Sequence, residues 1–202
     1  MKVTAAHLTG LWYHGDRNKT NFFNRKFDVE DYTRDRNAVG PGIYFTRIKW
    51  YANGYAEPDG YVYTVKVNLK PSRVLTDTTP ADLAKVRAFV EGCEDDDLLA
   101  NYGQPRRKAV ENAVKLNAES GDLLSAVIGV YNDLYQRDSA KFAEMMVKIG
   151  YDALLHQPNP EHAPEVFNLV VYEPKVIEIV DEERYTKQLE HLHTFAQYSS
   201  RL

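Results

Sequence analysis

Between Thr79 and Ile149 the hydrophobic residues recur with a period near 3.6, whereas the segments on either side alternate or run as short β-branched and aromatic stretches. A chain divided in this way has to pack a block of helices against a sheet built from both of its ends. This predicts an α+β fold in which residues 79–149 form a helical insertion. Within the block, Thr78 or Thr79 caps a helix with Pro80 at its first position and Leu83, Val86, Phe89 and Val90 on one face. Pro105 opens a second helix, carrying Ala109, Val110, Ala113, Val114 and Leu116. Gly121-Asp122 separates it from a third over Leu123 to Leu134, and Ser139 caps a fourth over Ala140 to Ile149. The run Glu94-Asp95-Asp96-Asp97 has metal-ligand chemistry, but consecutive carboxylates point in different directions, and the run reads as a solvated loop.

The flanks supply the strands. Leu11 to Gly15 is a short apolar-aromatic run ended by glycine, a strand that delivers His14 to a sheet edge or cleft. Residues 16–39 read as a surface loop with room for a short helix near Phe22 to Phe27. Basic residues bunch there, from Arg17 through Lys26 to Arg34 and Arg36, as a solvated loop or as phosphate contacts. Gly40-Pro41-Gly42 permits positive φ and close approach to something flat, and Ile43-Tyr44-Phe45-Thr46 then begins a buried strand. Lys49 to Ala56 is helix-permissive, Pro58-Asp59-Gly60 is a turn, and Tyr61 to Leu69 is the clearest strand. Arg73-Val74-Leu75 continues briefly.

After the helices, Gly150 reads as a C-cap before a strand ending at His156. Pro158, Pro160 and Pro164 mark an irregular loop, Val166 to Tyr172 a buried strand, and Val176 to Val180 an extension of the sheet. From Asp181 to Leu202 the expectation is a C-terminal helical tail, with Leu189, Leu192 and Phe195 at helical spacing. His191 and His193 fall on different sides of such a helix and do not form a metal site.

Composition limits the function classes. At 202 residues the chain is sized for one domain, and a net charge of −4 argues against broad nucleic-acid binding. No apolar run is long enough for a membrane span, Cys93 is the sole cysteine, and Met1 to Leu11 lacks a signal-peptide pattern. The expectation is a cytoplasmic protein without a disulfide framework, a cysteine-built metal site or membrane contact. Fourteen tyrosines suit partly buried, half-wet surfaces such as a cleft.

Three pieces in order, Tyr13-His14-Gly15, then Gly40-Pro41-Gly42-Ile43-Tyr44-Phe45-Thr46 with Ala52-Asn53-Gly54-Tyr55-Ala56, then Asn168-Leu169-Val170-Val171-Tyr172, carry a resemblance. They resemble the ADP-ribosyltransferase superfamily, in the branch of diphtheria toxin and the poly(ADP-ribose) polymerases. That branch has a His-Gly at the end of an early strand, a Gly-x-Gly-Ile-Tyr-Phe motif followed by Ala-x-x-Tyr, and a late strand bearing glutamate. The late piece, with its following Glu173-Pro174, is also similar to ADP-ribosyltransferase-like domains of phage and mobile-element polyvalent proteins.

The resemblance implies a split β-sandwich around an NAD+ cleft, with NAD+ as co-substrate, no metal, and a macromolecular acceptor, a protein or a nucleic acid, with protein favoured. It further implies that His14 hydrogen-bonds the adenosine ribose and that Gly15 offers its backbone to the nicotinamide carboxamide. Tyr44 and Tyr55 would sandwich the nicotinamide ring, Phe45, Thr46 and Ala52 would complete the cofactor wall, and Arg17 would bind the pyrophosphate. A phage or bacterial effector acting in a host cytoplasm is the corresponding role.

One residue departs from the pattern. Where the polymerases carry glutamate, this chain has Asn168, whose amide can hydrogen-bond a ribose hydroxyl but cannot act as a base or place a full charge beside a cation. Chain elongation is therefore not expected, while mono-ADP-ribosyl transfer stays open, with base help from the acceptor or from Glu165. NAD+ hydrolysis stays open too, as do a silent relative that binds a nucleotide or partner and an interaction protein without a nucleotide. The acceptor depends on the loops Thr20 to Val39 and Gln157 to Glu165.

Overall fold

Seven strands and seven helices make up residues 2–17, 27–28, 39–158, 161 and 166–186, which are the residues described by the structure, a computed structural model. In chain order they are α1 (Ala5–Leu8), β1 (Trp12–Asp16), β2 (Ile43–Thr46), α2 (Lys49–Ala56), β3 (Tyr61–Val67) and β4 (Val74–Thr76). The helical block follows as α3 (Leu83–Glu91), α4 (Asp96–Ala100), α5 (Arg106–Ala118), α6 (Leu123–Leu134) and α7 (Ser139–Lys148), and β5 (Ala153–His156), β6 (Asn168–Val171) and β7 (Ile177–Arg184) complete the sheet. The architecture is α+β, and among the described residues no helix is long and apolar enough to cross a membrane.

The strands are hydrogen-bonded in the order β4-β5-β6-β2-β1-β3-β7. Only β4 and β5 are parallel neighbours. Parallel neighbours cannot be joined by a hairpin and need a long crossover. The helical segment between Thr76 and Ala153 is that crossover, so the expected insertion is the connection the sheet requires.

Two separate small sheets were expected, but there is one sheet with a fork in it. β1 and β2 meet in a single residue pair, Tyr13 with Thr46, whereas β1 pairs with β3 from Trp12 to Asp16 and β2 with β6 along its whole length. The physical reason lies in His14. Beyond the Tyr13–Thr46 pair, the Tyr44 carbonyl accepts a hydrogen bond from the His14 ring at 2.7 Å, so a side chain stands where a ladder bond would otherwise close the gap.

Four of the seven helices, α3, α4, α6 and α7, start on an aspartate cap. Asp82, not Thr79, caps α3, its side chain accepting from the Ala84 and Lys85 amides at 2.9 and 3.3 Å. The Thr79 hydroxyl instead receives the Thr76 amide, and Pro80 forms an isolated bridge with Asp122, which leaves Leu83 exposed while Val86, Phe89 and Val90 are buried. Asp138 replaces Ser139 as the cap of α7, and Asp95, inside the acidic run, caps α4. The block docks on the sheet through Phe142 of α7, whose ring lies 5.5 Å from Phe89, 5.0 Å from Tyr131 and 5.8 Å from Tyr172.

The last strand is longer than expected. β7 runs on to Arg184, paired there with Tyr61, so residues 181–184 are strand and not helix. Its charged residues are those of a sheet edge, where one side of the strand has no neighbour among the described residues. Residues 187–202, including Leu189, His191, Leu192, His193 and Phe195, lie outside the described residues. So do Lys26, Arg34, Arg36 and Glu165, and all but Phe27 of the expected short helix.

A second, smaller apolar cluster sits under α2, where Ala52 and Ala56 pack with Val62, Tyr185 and Tyr13. The contact is set by glycine. A Cβ on Gly15 would lie 1.8 Å from the Ala52 carbonyl oxygen, and one on Gly60 would lie 1.9 Å from that of Ala56. α2 therefore rests directly on the backbone of β1, beside the fork.

Candidate functional site

The fork opens into a cleft of about 530 Å³, measured with its mouth and lined by Tyr13, His14, Gly15, Tyr44, Phe45, Thr46, Ala52, Tyr55 and Asn168. Of the residues expected at a site, all of His14, Gly15, Tyr44, Phe45, Thr46, Ala52, Tyr55 and Asn168 border it. Three strands and one helix contribute. β1 brings Tyr13, His14 and Gly15, β2 brings Tyr44 to Thr46, α2 brings Ala52 and Tyr55, and β6 brings Asn168.

His14 is held on all sides. A carbonyl can only accept, so the 2.7 Å contact with Tyr44 fixes the proton on Nδ1, and the ring packs against Phe27, Phe45 and Tyr63 at 5.2, 5.5 and 6.2 Å. Burial lowers its pKa, outweighing the Tyr44 carbonyl and the Asp16 charge, which act in the opposite direction. The neutral ring is thereby favoured, with a lone pair on Nε2 that has no hydrogen-bond partner among the described residues. Such a nitrogen can accept a hydrogen bond from a hydroxyl.

A histidine whose pKa falls on folding makes stability pH-dependent in one direction. As pH drops through about 6.5, the unfolded chain takes up a proton that the folded chain resists, so stability is lost from there down to the depressed folded pKa. Thermal unfolding is expected to move to lower temperature between pH 7.5 and 5.5, and less so in His14→Phe. Identical pH slopes for the two proteins would contradict the assignment.

The Tyr44 hydroxyl donates to the Gly40 carbonyl, which pins the ring at the cleft wall. Tyr55 stands at the mouth and is 72% exposed, on the helix that also presents the stacked pair Trp50 and Tyr51 at 4.0 Å. Phe45 and Thr46 are spoken for, since the Phe45 ring is core and the Thr46 hydroxyl accepts from the Ile48 amide at 3.2 Å where α2 begins. Asn168 opens β6, directly across from Thr46 on one side and His156 on the other.

The geometry also places Arg17 and the glycines. Arg17 does not line the cleft; its exposed guanidinium lies 3.8 Å from the exposed Glu57 carboxylate, a contact of little energetic weight. The Gly40 and Gly42 turn takes the expected positive φ, 83° and 154°, and its glycines are not among the residues lining the cleft. A Cβ on Gly42 would meet Val170 at 2.4 Å and one on Gly40 would meet Phe142 at 3.3 Å, so both glycines permit packing against neighbouring elements. Gly15 is likewise required by the α2 contact, in addition to bordering the cleft.

One neighbouring group has no sequence signature. At the end of β5, His156 Nδ1 lies 2.8 Å from Asp77 Oδ1, and Asp77 Oδ2 accepts from the Gln157 amide at 2.9 Å. The pair joins residues far apart in the chain, and only the parallel pairing of β4 with β5 makes them adjacent. No protein-family model matches the chain, and no curated protein or solved structure shows significant similarity to it.

Proposed function

We propose that the chain transfers a single ADP-ribose from NAD+ to a macromolecular acceptor, and that its forked sheet is an ADP-ribosyltransferase-like split sandwich. One observation carries this reading. The three motif pieces that resemble the family, separated by loops and by the whole helical crossover, border the same cleft.

The chemistry requires little covalent help from the protein. The bond between the ribose and a cationic nicotinamide breaks through an oxocarbenium-like transition state, so the main tasks are to hold the dinucleotide bent and to position the acceptor. In this reading Tyr44 and Tyr55 stack on the nicotinamide, Gly15 offers backbone groups to its carboxamide, and His14 Nε2 accepts from the adenosine ribose. The Asn168 amide binds a hydroxyl of the nicotinamide ribose. Without a carboxylate at that position, one transfer is favoured over a growing polymer.

NAD+ hydrolysis is the second reading, because the mouth at Tyr55 is open and water can take the acceptor's place. Incubation of the purified protein with labelled NAD+, alone and with cell lysate, separates them. Label on macromolecules is expected for transfer, and free ADP-ribose without label is the mark of hydrolysis. Neither product, together with no thermal shift by NAD+, would remove both readings.

Tyr55 offers a clean binding test because its ring is mostly in water. Tyr55→Ala is expected to weaken NAD+ binding about tenfold, the loss of one stacking face, while the unfolding temperature stays within error. Unchanged affinity by calorimetry would take Tyr55 out of the nicotinamide site.

A further inference from the structure

The residue opposite Asn168 on β5 is His156, and directly opposed residues in an antiparallel pair share a face with Cβ atoms about 4.5–5.5 Å apart. The register runs on through Thr46 to Tyr13, so His156, Asn168, Thr46 and Tyr13 form one row across four strands, and the last three border the cleft. His156 stands at the end of that row, one strand beyond the position where a carboxylate is missing.

Its ring is already oriented. An ionised carboxylate only accepts, so the contact with Asp77 keeps the proton on Nδ1 and turns the lone pair of Nε2 outward. The side chain is 22% exposed, and among the described residues Nε2 has no hydrogen-bond partner. Asp77 is suited to support a cationic imidazole. Burial raises its pKa, but the hydrogen bonds from His156 and the Gln157 amide, with the imidazole charge, outweigh that and leave it below the usual carboxylate range.

We propose that His156, positioned by Asp77, is the general base that takes the proton of a hydroxyl acceptor in this cleft. The inference rests on the reading of the cleft as an NAD+ site. The acceptor oxygen forms a bond to the anomeric carbon of the nicotinamide ribose as the bond from that carbon to the pyridinium nitrogen breaks. The electron pair of the broken bond stays on nicotinamide, which leaves neutral, and the hydroxyl proton passes to His156 Nε2, giving an imidazolium paired with Asp77. A base is needed only for a nucleophile that arrives protonated, which a hydroxyl does and a carboxylate does not, so a carboxylate acceptor would not depend on His156.

The test uses the full chain with NAD+, following nicotinamide release with water or added methanol as the hydroxyl acceptor and measuring NAD+ binding separately. His156→Ala is expected to lower the rate at saturating NAD+ about 100-fold, with the dissociation constant for NAD+ within about twofold of wild type and partial recovery on adding imidazole. Asp77→Asn is expected to lower kcat by at least about tenfold, through loss of the fixed tautomer and of the charge that supports the imidazolium, with little change in KM. His156→Gln retains a donor for Asp77 but cannot take the proton, so it serves if the alanine variant fails to fold, and it should be equally slow.

Wild-type turnover in His156→Ala or His156→Gln overturns the inference, as does equal loss of binding and turnover without imidazole rescue. A wild-type chain that binds NAD+ without releasing nicotinamide overturns it and leaves the binding site standing. A wild-type chain that does not bind NAD+ overturns both.

Discussion

Gly15→Ala is expected to destabilise the protein by at least about 3 kcal/mol, the upper part of the range for overpacking a close contact. The added methyl would sit 1.8 Å from the Ala52 carbonyl oxygen and 2.8 Å from the Ala56 amide nitrogen, both in the backbone of α2, so no side-chain rotation relieves it. The helix has to move off β1, taking Ala52 and Tyr55 away from the cleft. Gly54, on the same helix, is the control. A Cβ there meets nothing within 4 Å, and Gly54→Ala should stabilise by up to about 1 kcal/mol through its higher helix propensity. Urea melts of the two variants therefore move in opposite directions. A Gly15→Ala midpoint equal to wild type would mean that α2 does not rest on the strand as described.

The second large effect belongs to His14. Removal of the ring in His14→Ala deletes the bond to the Tyr44 carbonyl, empties a space among Phe27, Phe45 and Tyr63, and takes away the free Nε2. NAD+ affinity is expected to fall about 10- to 100-fold, the range for a hydrogen bond whose buried partner is left unmade. Stability should fall by about 2–4 kcal/mol, since a cavity is added to a lost hydrogen bond. His14→Phe separates the two consequences. It refills the aromatic cage and recovers much of the stability, yet it offers nothing to a ribose hydroxyl, so its affinity should stay as low as that of the alanine variant. Wild-type NAD+ binding by His14→Phe would reduce the histidine to a structural role.

The division of the chain into strand-forming ends and a helical middle was legible because hydrophobic period is local. Val86, Phe89 and Val90 announce a buried face without any knowledge of what buries it. Helix starts were less legible, since Thr79 and Asp82 both satisfy the rule for a cap, and what decides between them is a local turn that ties Thr79 to Thr76 together with the long-range bridge of Pro80 to Asp122. The extent of β7 was hidden for a similar reason. An edge strand is free to carry charge on both faces, so Asp181 to Arg184 reads like a solvated tail until its pairing with Tyr61 to Thr64 is known.

At the candidate site, His14, Tyr44 and Asn168 could be named because motif spacing survives in sequence. Their surroundings could not. That the glycines of the Gly40 turn serve packing, that Arg17 points elsewhere, and that His156 meets Asp77 are all consequences of strand order, which no local pattern encodes. Asn168 shows the same limit from the other side. Alone it is an amide where the resemblance would have a carboxylate, and in the sheet it is the neighbour of His156.

The parallel pairing of β4 with β5 also governs how the chain reaches its native state. A hairpin can zip from its turn, but Val74 to Thr76 cannot find Ala153 to Leu155 until five intervening helices have drawn the two segments together. The entropy of closing that long connection has to be met before any ladder bond forms, which slows assembly and makes helix collapse precede sheet completion. Asp77 and His156 lie at the far end of this late-forming pair. The dyad is therefore among the last contacts to form, and a chain with its helices in place but β4 undocked would be folded in most respects and still lack the pair.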